Sequence, residues 1–330
     1  MRDRNHWNAV RYDATPTGHY ESYFQRANHP TEPRAFWIRY TVFSPKGRPA
    51  DALGELWAIY FDRTSDHIVA VRETKPIADC SFSTRGLEAR IGTATLGSEA
   101  LQGSASCEGH RIGWDLHYSS PDDPLLLFDE PLYAKGFPKA KALVGSPNAV
   151  YAGSVDVDGS RVSIDGWVGS QNHNWGSKHT DAYAWGQVAG FDGAPHVFLE
   201  CSTARIKIGP FWTPRFTLVA MRVGNETISL NTLGQALRAK GSYELFMWQF
   251  DSERNGVRVH GSIEAPRSAF VGLTYLNPPG GSKTCLNSKV ASCEVTLERA
   301  GQAQTFTTQS RAAFEILTDD STHGVPVLSA

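Results

Sequence analysis

The sequence predicts an all-β protein made of two tandem antiparallel β units, and three observations carry that expectation. Apolar and polar residues alternate with period two over short stretches, each bounded by glycine, proline, asparagine or serine. Only Thr232 to Lys240 has helical character, and Gly234 weakens it. The chain has 330 residues, 41% of them hydrophobic and nine of them tryptophan, enough to build two cores rather than one. The expected division is residues 1–150 and 151–330.

After a polar leader, His19 to Phe24 reads as a first strand, with Glu21 and Tyr23 on one side. Phe36 to Phe43 and Gly54 to Asp62 follow as a hairpin-like pair across the turn Ser44 to Pro49. Period two puts Trp37, Arg39, Thr41 and Phe43 on one face, and Glu55, Trp57, Ile59 and Phe61 on one face of the next strand. Arg39 and Glu55 are therefore charges among rings, either an ion pair satisfied across the strands or the wall of a ligand cavity. Ile68 to Ser119 continues in short alternating segments typical of a meander or barrel. Residues 121–150, with Pro121, Pro124, Pro138 and Pro147, lose the periodicity and read as a crossover or linker. Strands resume at Tyr151 and continue, with the one helical interruption, to Arg299.

The formal charge of -2, from 32 basic and 34 acidic residues, offers no basic stripe for a phosphate backbone, so nucleic acid is not an expected partner. Cys80, Cys107, Cys201, Cys285 and Cys293 form an odd set without a CxxC, which favours reduced thiols in a cytoplasmic protein over a disulfide framework. No secretory leader and no membrane-length apolar run is found. GxSxG, Walker, GxGxxG and HExxH motifs are missing, which removes most of the case for common hydrolase, NTPase and nicotinamide chemistry. Oligomeric state is not legible.

Reactive residue types concentrate in Gly169 to His179, continuing through Asp181, Tyr183, Trp185 and Gln187. His173, His179 and Asp181 resemble a metal set, but the two histidines would stand far apart along a strand and no third has matching spacing, so no metal is expected. Acid–base chemistry suits the stretch better. A histidine among Trp175, Tyr183, Trp185 and Phe198 has its pKa open to tuning by burial, and the nearest carboxylates are Asp181 and Glu200. Period two aligns His196, Phe198 and Glu200 on one face, and leaves open whether that face looks inward.

The run Gln171-Asn-His173-Asn174-Trp175-Gly176, preceded by Asp165-Gly-Trp167 and followed by Tyr183-Ala-Trp185-Gly186, resembles the lipocalin-like superfamily of carotenoid 1,2-hydratases, tocopherol-cyclase-like proteins and Diels-Alderases. Glu21-Ser-Tyr23 and Phe137-Pro-Lys139 extend the resemblance over most of the chain. It implies two lipocalin-like (calycin) barrels, a hydrophobic pocket within or between them, and cofactor-free chemistry on an isoprenoid, polyene or polyketide. It also implies proton transfer by His173 and Trp175, with Glu200 in the place of a downstream Tyr-x-Asp acid whose tyrosine this chain lacks.

The expected protein is thus a hydratase, cyclase or isomerase. Its expected catalytic residues are His173, Glu200, Trp175 and Asp181, with Asp181 or Lys178 orienting His173. Tyr183, Trp185, Phe198, Trp57, Arg39, Glu55 and Trp248 are the expected substrate contacts. The alternatives are a carrier of hydrophobic ligands and a pericyclase that works without proton transfer.

Overall fold

The computed structural model describes residues 3–328. The alternating segments form strands throughout, gathered into two large sheets and one small exposed hairpin, Lys207–Ile208 with Phe211–Trp212. In the first sheet a meander of His19–Asn28, Arg34–Ser44, Leu53–Asp62 and His67–Pro76 has Ser160–Gly176 along its free edge, next to the first strand. Ala140–Val157, His110–Ser119 and Ala100–Cys107 continue the sheet, which three short strands complete. The second sheet runs from Glu226–Leu230 through Phe216–Val223, Ala194–Arg205, Ala182–Phe191, Gln302–Thr318 and Ser282–Arg299 to Val257–Glu264, Met247–Arg254 and Lys240–Glu244.

The sheets part after Gly176, whereas the division expected at 150 falls inside the strand Ala140–Val157. The proline-rich stretch is only partly a linker. Gly145, Pro147 and Asn148 sit where the strand slips register against its neighbour, between Val144 and Ser146 and again between Ser146 and Ala149. Proline and glycine are tolerated at such bulges, so residues that read as chain breakers mark irregularities in one long strand.

The first three strands of the first sheet, His19–Asn28, Arg34–Ser44 and Leu53–Asp62, are buried on both faces. Tyr23, Phe36, Tyr40, Leu56 and Tyr60 point into the first barrel-like core, and Trp37, Trp57, Ile59 and Phe61 point toward the second sheet. This burial on both sides explains the aromatic density read in these strands. The helix expected near Thr232 is present as Leu233–Arg238. A second short helix, Arg4–Asn8, begins at Asp3, whose side chain accepts the Asn5 N–H at 3.0 Å, and it covers one end of the first sheet. None of the five cysteines is paired. Among the described residues no helix is long and apolar enough to cross a membrane.

Candidate active site

The histidine-bearing run lies on the last strand of the first sheet, and the pleat sends its neighbouring side chains to opposite faces. His173 turns into the first barrel and is fully buried. Its Nε2 meets Glu21 Oε1 at 2.7 Å and its Nδ1 meets the Trp7 carbonyl at 2.9 Å. Both partners are oxygen acceptors. Tyr23 stacks on the ring at 4.4 Å between centroids, and Trp175 lies tilted against it at 4.6 Å.

Glu21 also accepts the Arg11 and Tyr12 backbone N–H groups and bonds His19 Nε2 at 2.8 Å. Burial alone would raise its pKa, but the hydrogen bonds from His173 and His19 reverse that and hold it near about 2. This cluster fastens the N-terminal segment onto the barrel. Asn8 adds to it by bonding Gln171 at 3.0 Å.

The opposite face of the same strand borders a cavity between the two sheets, with about 840 Å³ of non-atom space, part of it open at the mouth. The first sheet contributes Phe24, Trp37, Arg39, Asn172 and Asn174, and the second contributes Tyr183, Trp185, Glu200 and Glu315. Tyr20, His179 and Tyr275 stack near one end, with ring centroids 3.9 and 5.8 Å from that of His179. Desolvation, reinforced by Arg39, pushes the His179 pKa down to about 3, so the ring is neutral.

Glu200 is 2% exposed. Trp185 Nε1 donates to one of its oxygens at 2.8 Å and Gln187 Nε2 to the other at 2.7 Å. Burial raises its pKa, the two donors offset part of the rise, and the result is about 7. Gln187 cannot turn to relieve the carboxyl. Its amide N–H₂ also reaches Asn172 Oδ1 at 2.7 Å, while its carbonyl accepts Arg26 Nε at 2.7 Å and Ser170 Oγ at 2.6 Å. On the same wall Glu315 accepts Lys289 Nζ at 2.9 Å and Asn287 Nδ2 at 3.1 Å.

The sequence-predicted residues therefore separate. Glu200, Tyr183, Trp185 and Arg39 meet at the cavity. His173 borders it through the strand, but its ring is engaged on the far face with Trp175. The Trp175 ring lies 5.2 Å from the Arg11 guanidinium. Asp181 does not orient His173; it accepts both Lys178 Nζ bonds, at 2.8 and 3.0 Å, and the Lys207 N–H at 2.9 Å, fixing the turn between the sheets. Glu55 pairs with Arg72 rather than Arg39.

Three more predicted contacts are core residues outside the cavity lining. Trp57 packs edge-on to Tyr275 at 6.1 Å, Trp248 donates to Thr203 Oγ1 at 3.0 Å, and Phe198 belongs to a small cluster with Leu125 and Val144. Sequence reasoning missed Lys289, Glu315 and Tyr275 as part of this interface, and placed Gln187 in the reactive run without a role. Period two gave the signal for Glu315, flanked by Phe314 and Ile316, but not the partner strand that sets Trp185 opposite it. Among the described residues no three of His, Cys, Asp and Glu gather as a metal set.

Two mainly antiparallel barrel-like sheets with an aromatic, acid-bearing cavity between them define a lipocalin-like fold. Solved structures share that fold over nearly the whole chain. A Nitrosomonas europaea protein assigned as AttH aligns with a TM-score of 0.58 at 12% identity, covering 91% of this chain and 92% of its own. Kievitone hydratase from Nectria haematococca gives 0.53 at 11%, covering 93% and 90%. CghA, a Diels-Alderase solved with Sch210972, gives 0.59 at 13%, covering 92% and 88%. The fold is thus the one expected from the His-Asn-Trp-Gly run. In sequence the chain is 24% identical over 186 residues to an uncharacterized protein of Mycobacterium tuberculosis, found in strains H37Rv and CDC 1551. That alignment spans 56% of each, so the chain covers about half the length of the curated relatives it matches. No family model matches.

Proposed function

We propose that the protein is a cofactor-independent enzyme that acts on a hydrophobic small molecule by proton transfer in the inter-sheet cavity, with Glu200 as the acid–base group. The observation that carries this reading is Glu200 itself, a carboxyl on an aromatic cavity wall, buried enough that its pKa is raised to about 7. A group poised near neutral pH both gives and takes a proton readily. Protonated Glu200 donates to an alkene carbon or carbonyl oxygen of the substrate. The electron-deficient centre so formed faces Trp37, Trp185 and Phe24, whose rings favour positive charge. Water or an internal π bond then closes on it, and the carboxylate recovers a proton as the product forms. Kievitone hydratase and CghA show that this fold hosts both a hydratase and a Diels-Alderase, which supports an enzyme over a carrier. His173 and Glu21 serve as the fastening behind the cavity strand.

The test is a screen of conjugated polyenes and polyketides in heavy water. The expected product carries non-exchangeable deuterium at the protonated carbon. Its formation should fall by about 10²-fold or more in Glu200→Gln, the usual contribution of a positioned acid. Turnover that is unlabelled and survives the substitution would instead establish the pericyclic reading. Binding with no turnover of any kind would leave a carrier.

A further inference from the structure

Arg26, Lys289 and Arg39 are strong bases buried where the sheets meet, and their partners differ. Arg26 is satisfied by neutral acceptors, the Gln187 side chain and carbonyl, Asn28 Oδ1 and the Arg311 carbonyl. Lys289 is paired with Glu315. Arg39, only 4% exposed, is left with one hydrogen bond, from Nη2 to Ser22 Oγ at 2.6 Å, and its Nε has no partner. No carboxylate among the described residues forms an ion pair with it. Of the side chains that act on it through space, the carboxylates Glu55 and Glu315 are already held by Arg72 and Lys289. The rest of its surroundings is aromatic, with the guanidinium 4.5 Å from the Tyr275 ring centroid and 6.0 Å from that of Trp37.

Burial disfavours the charged guanidinium, and Tyr275, Glu55 and Glu315 acting through space outweigh that and raise its pKa, but none of them fills its N–H fork, which leaves buried donors unsatisfied. Its planar fork matches a carboxylate or enolate, which it can hold through two parallel N–H bonds. We propose that Arg39 is an anion-anchoring subsite, so that the molecule taken by the cavity is a hydrophobic acid whose carboxylate or enolate docks on Arg39. Arg39 comes from the first sheet and Glu200 from the second, so the anchored head and the reacting carbon are addressed from opposite walls. The inference rests on the reading of the cavity as a hydrophobic-ligand site and adds the charge of the ligand to it.

The probe pair is cis-parinaric acid and its methyl ester, which share one polyene tail and differ in the charge of the head. Binding is read by energy transfer from tryptophan at neutral pH. The wild-type protein is expected to bind the acid at least about tenfold more tightly than the ester, a difference of about 1.4 kcal/mol. Arg39→Gln should remove that preference by weakening the acid while the ester stays within about twofold; Arg39→Lys, which keeps the charge but not the fork, should retain part of it. The wild-type comparison stands even if the glutamine variant does not fold. Equal affinity for acid and ester in the wild-type protein would overturn the anion subsite and leave the hydrophobic cavity intact. Binding of neither would remove both readings.

Discussion

A carboxyl whose pKa is raised on folding makes stability depend on pH in a direction that can be worked out in advance. Glu200 moves from 4.5 to about 7, so the folded protein holds this proton more tightly than the unfolded chain does. Its contribution is fully present below pH about 4.5 and is lost as pH rises through about 7, an amplitude of about 3 kcal/mol at 1.36 kcal/mol per pH unit. Between pH about 5.5 and about 8.5 the expected loss is about 2 kcal/mol. Glu200→Gln removes the titration. It also sets one amide N–H₂ against either Trp185 Nε1–H or the Gln187 amide, because both partners of the carboxylate are donors. Losing one hydrogen bond in this way costs about 1 kcal/mol at every pH. Urea unfolding followed by tryptophan fluorescence, repeated across that range for both proteins, gives the difference curve, in which groups common to the two cancel. The variant should be the less stable protein at the acid end and should close the gap, or reverse it, at the alkaline end. A difference curve flat to within about 0.5 kcal/mol would refute the claim that Glu200 is held protonated by burial, and the proton-transfer proposal with it.

Two further outcomes follow from the cluster behind the cavity. His173→Ala leaves the Glu21 carboxylate buried without its closest partner, so unfolding should become easier by about 3–5 kcal/mol, while parinarate affinity of the folded fraction stays within about twofold. Unchanged stability with lost turnover would return His173 to a catalytic role. At low pH the sign for Glu21 is opposite to that for Glu200. Its pKa is held down near about 2, so its stabilising contribution is complete above pH about 4.5 and disappears as pH falls toward about 2. The acid limb of the stability profile should therefore be shallower in Glu21→Gln, and an acid limb of unchanged slope would count against the hydrogen-bonded carboxylate described here.

Much of this architecture is written in the sequence as periodicity. The pairing of Phe36 to Phe43 with Gly54 to Asp62, and the common faces of Trp37 with Arg39 and of Trp57 with Ile59, follow from period two and are found as expected. The motif run lies on a strand that borders the cavity, and Glu200 lies on the facing wall. What period two leaves open is which of two buried faces looks into which space, since both are apolar enough to be core. That ambiguity is why His173, flanked by tryptophan, reads as a cavity residue when Asn172 and Asn174 are the ones facing it. Trp248 and Phe198 likewise sit in the core rather than in the cavity lining. Long-range pairing is the other missing quantity. Glu21 precedes His173 by 152 residues, and Lys289 meets Trp37 and Trp185 only through the inter-sheet packing, at 5.7 and 5.6 Å from their ring centroids.

The placement of neighbouring residues on opposite faces makes strand register the quantity on which the site depends. A slip of one residue in Ser160–Gly176 would exchange Asn172 and Asn174 for His173, breaking the Glu21 cluster and the Gln187–Glu200 network in the same step. The glycines at the two ends of the run prevent this, and they do so by close approach rather than by making turns. A Cβ on Gly169 would stand 1.7 Å from the Arg26 carbonyl oxygen, and one on Gly176 would stand 2.2 Å from the Lys139 carbonyl oxygen. A residue with a side chain cannot occupy either position without parting the run from the neighbour it touches there. The first strand is gripped at one end of the run, opposite Ala27, and the strand Ala140–Val157 at the other, opposite Ala140. The run is thereby pinned to both neighbours, and Asn172 meets the Gln187 that holds Glu200 on the facing sheet each time the chain folds.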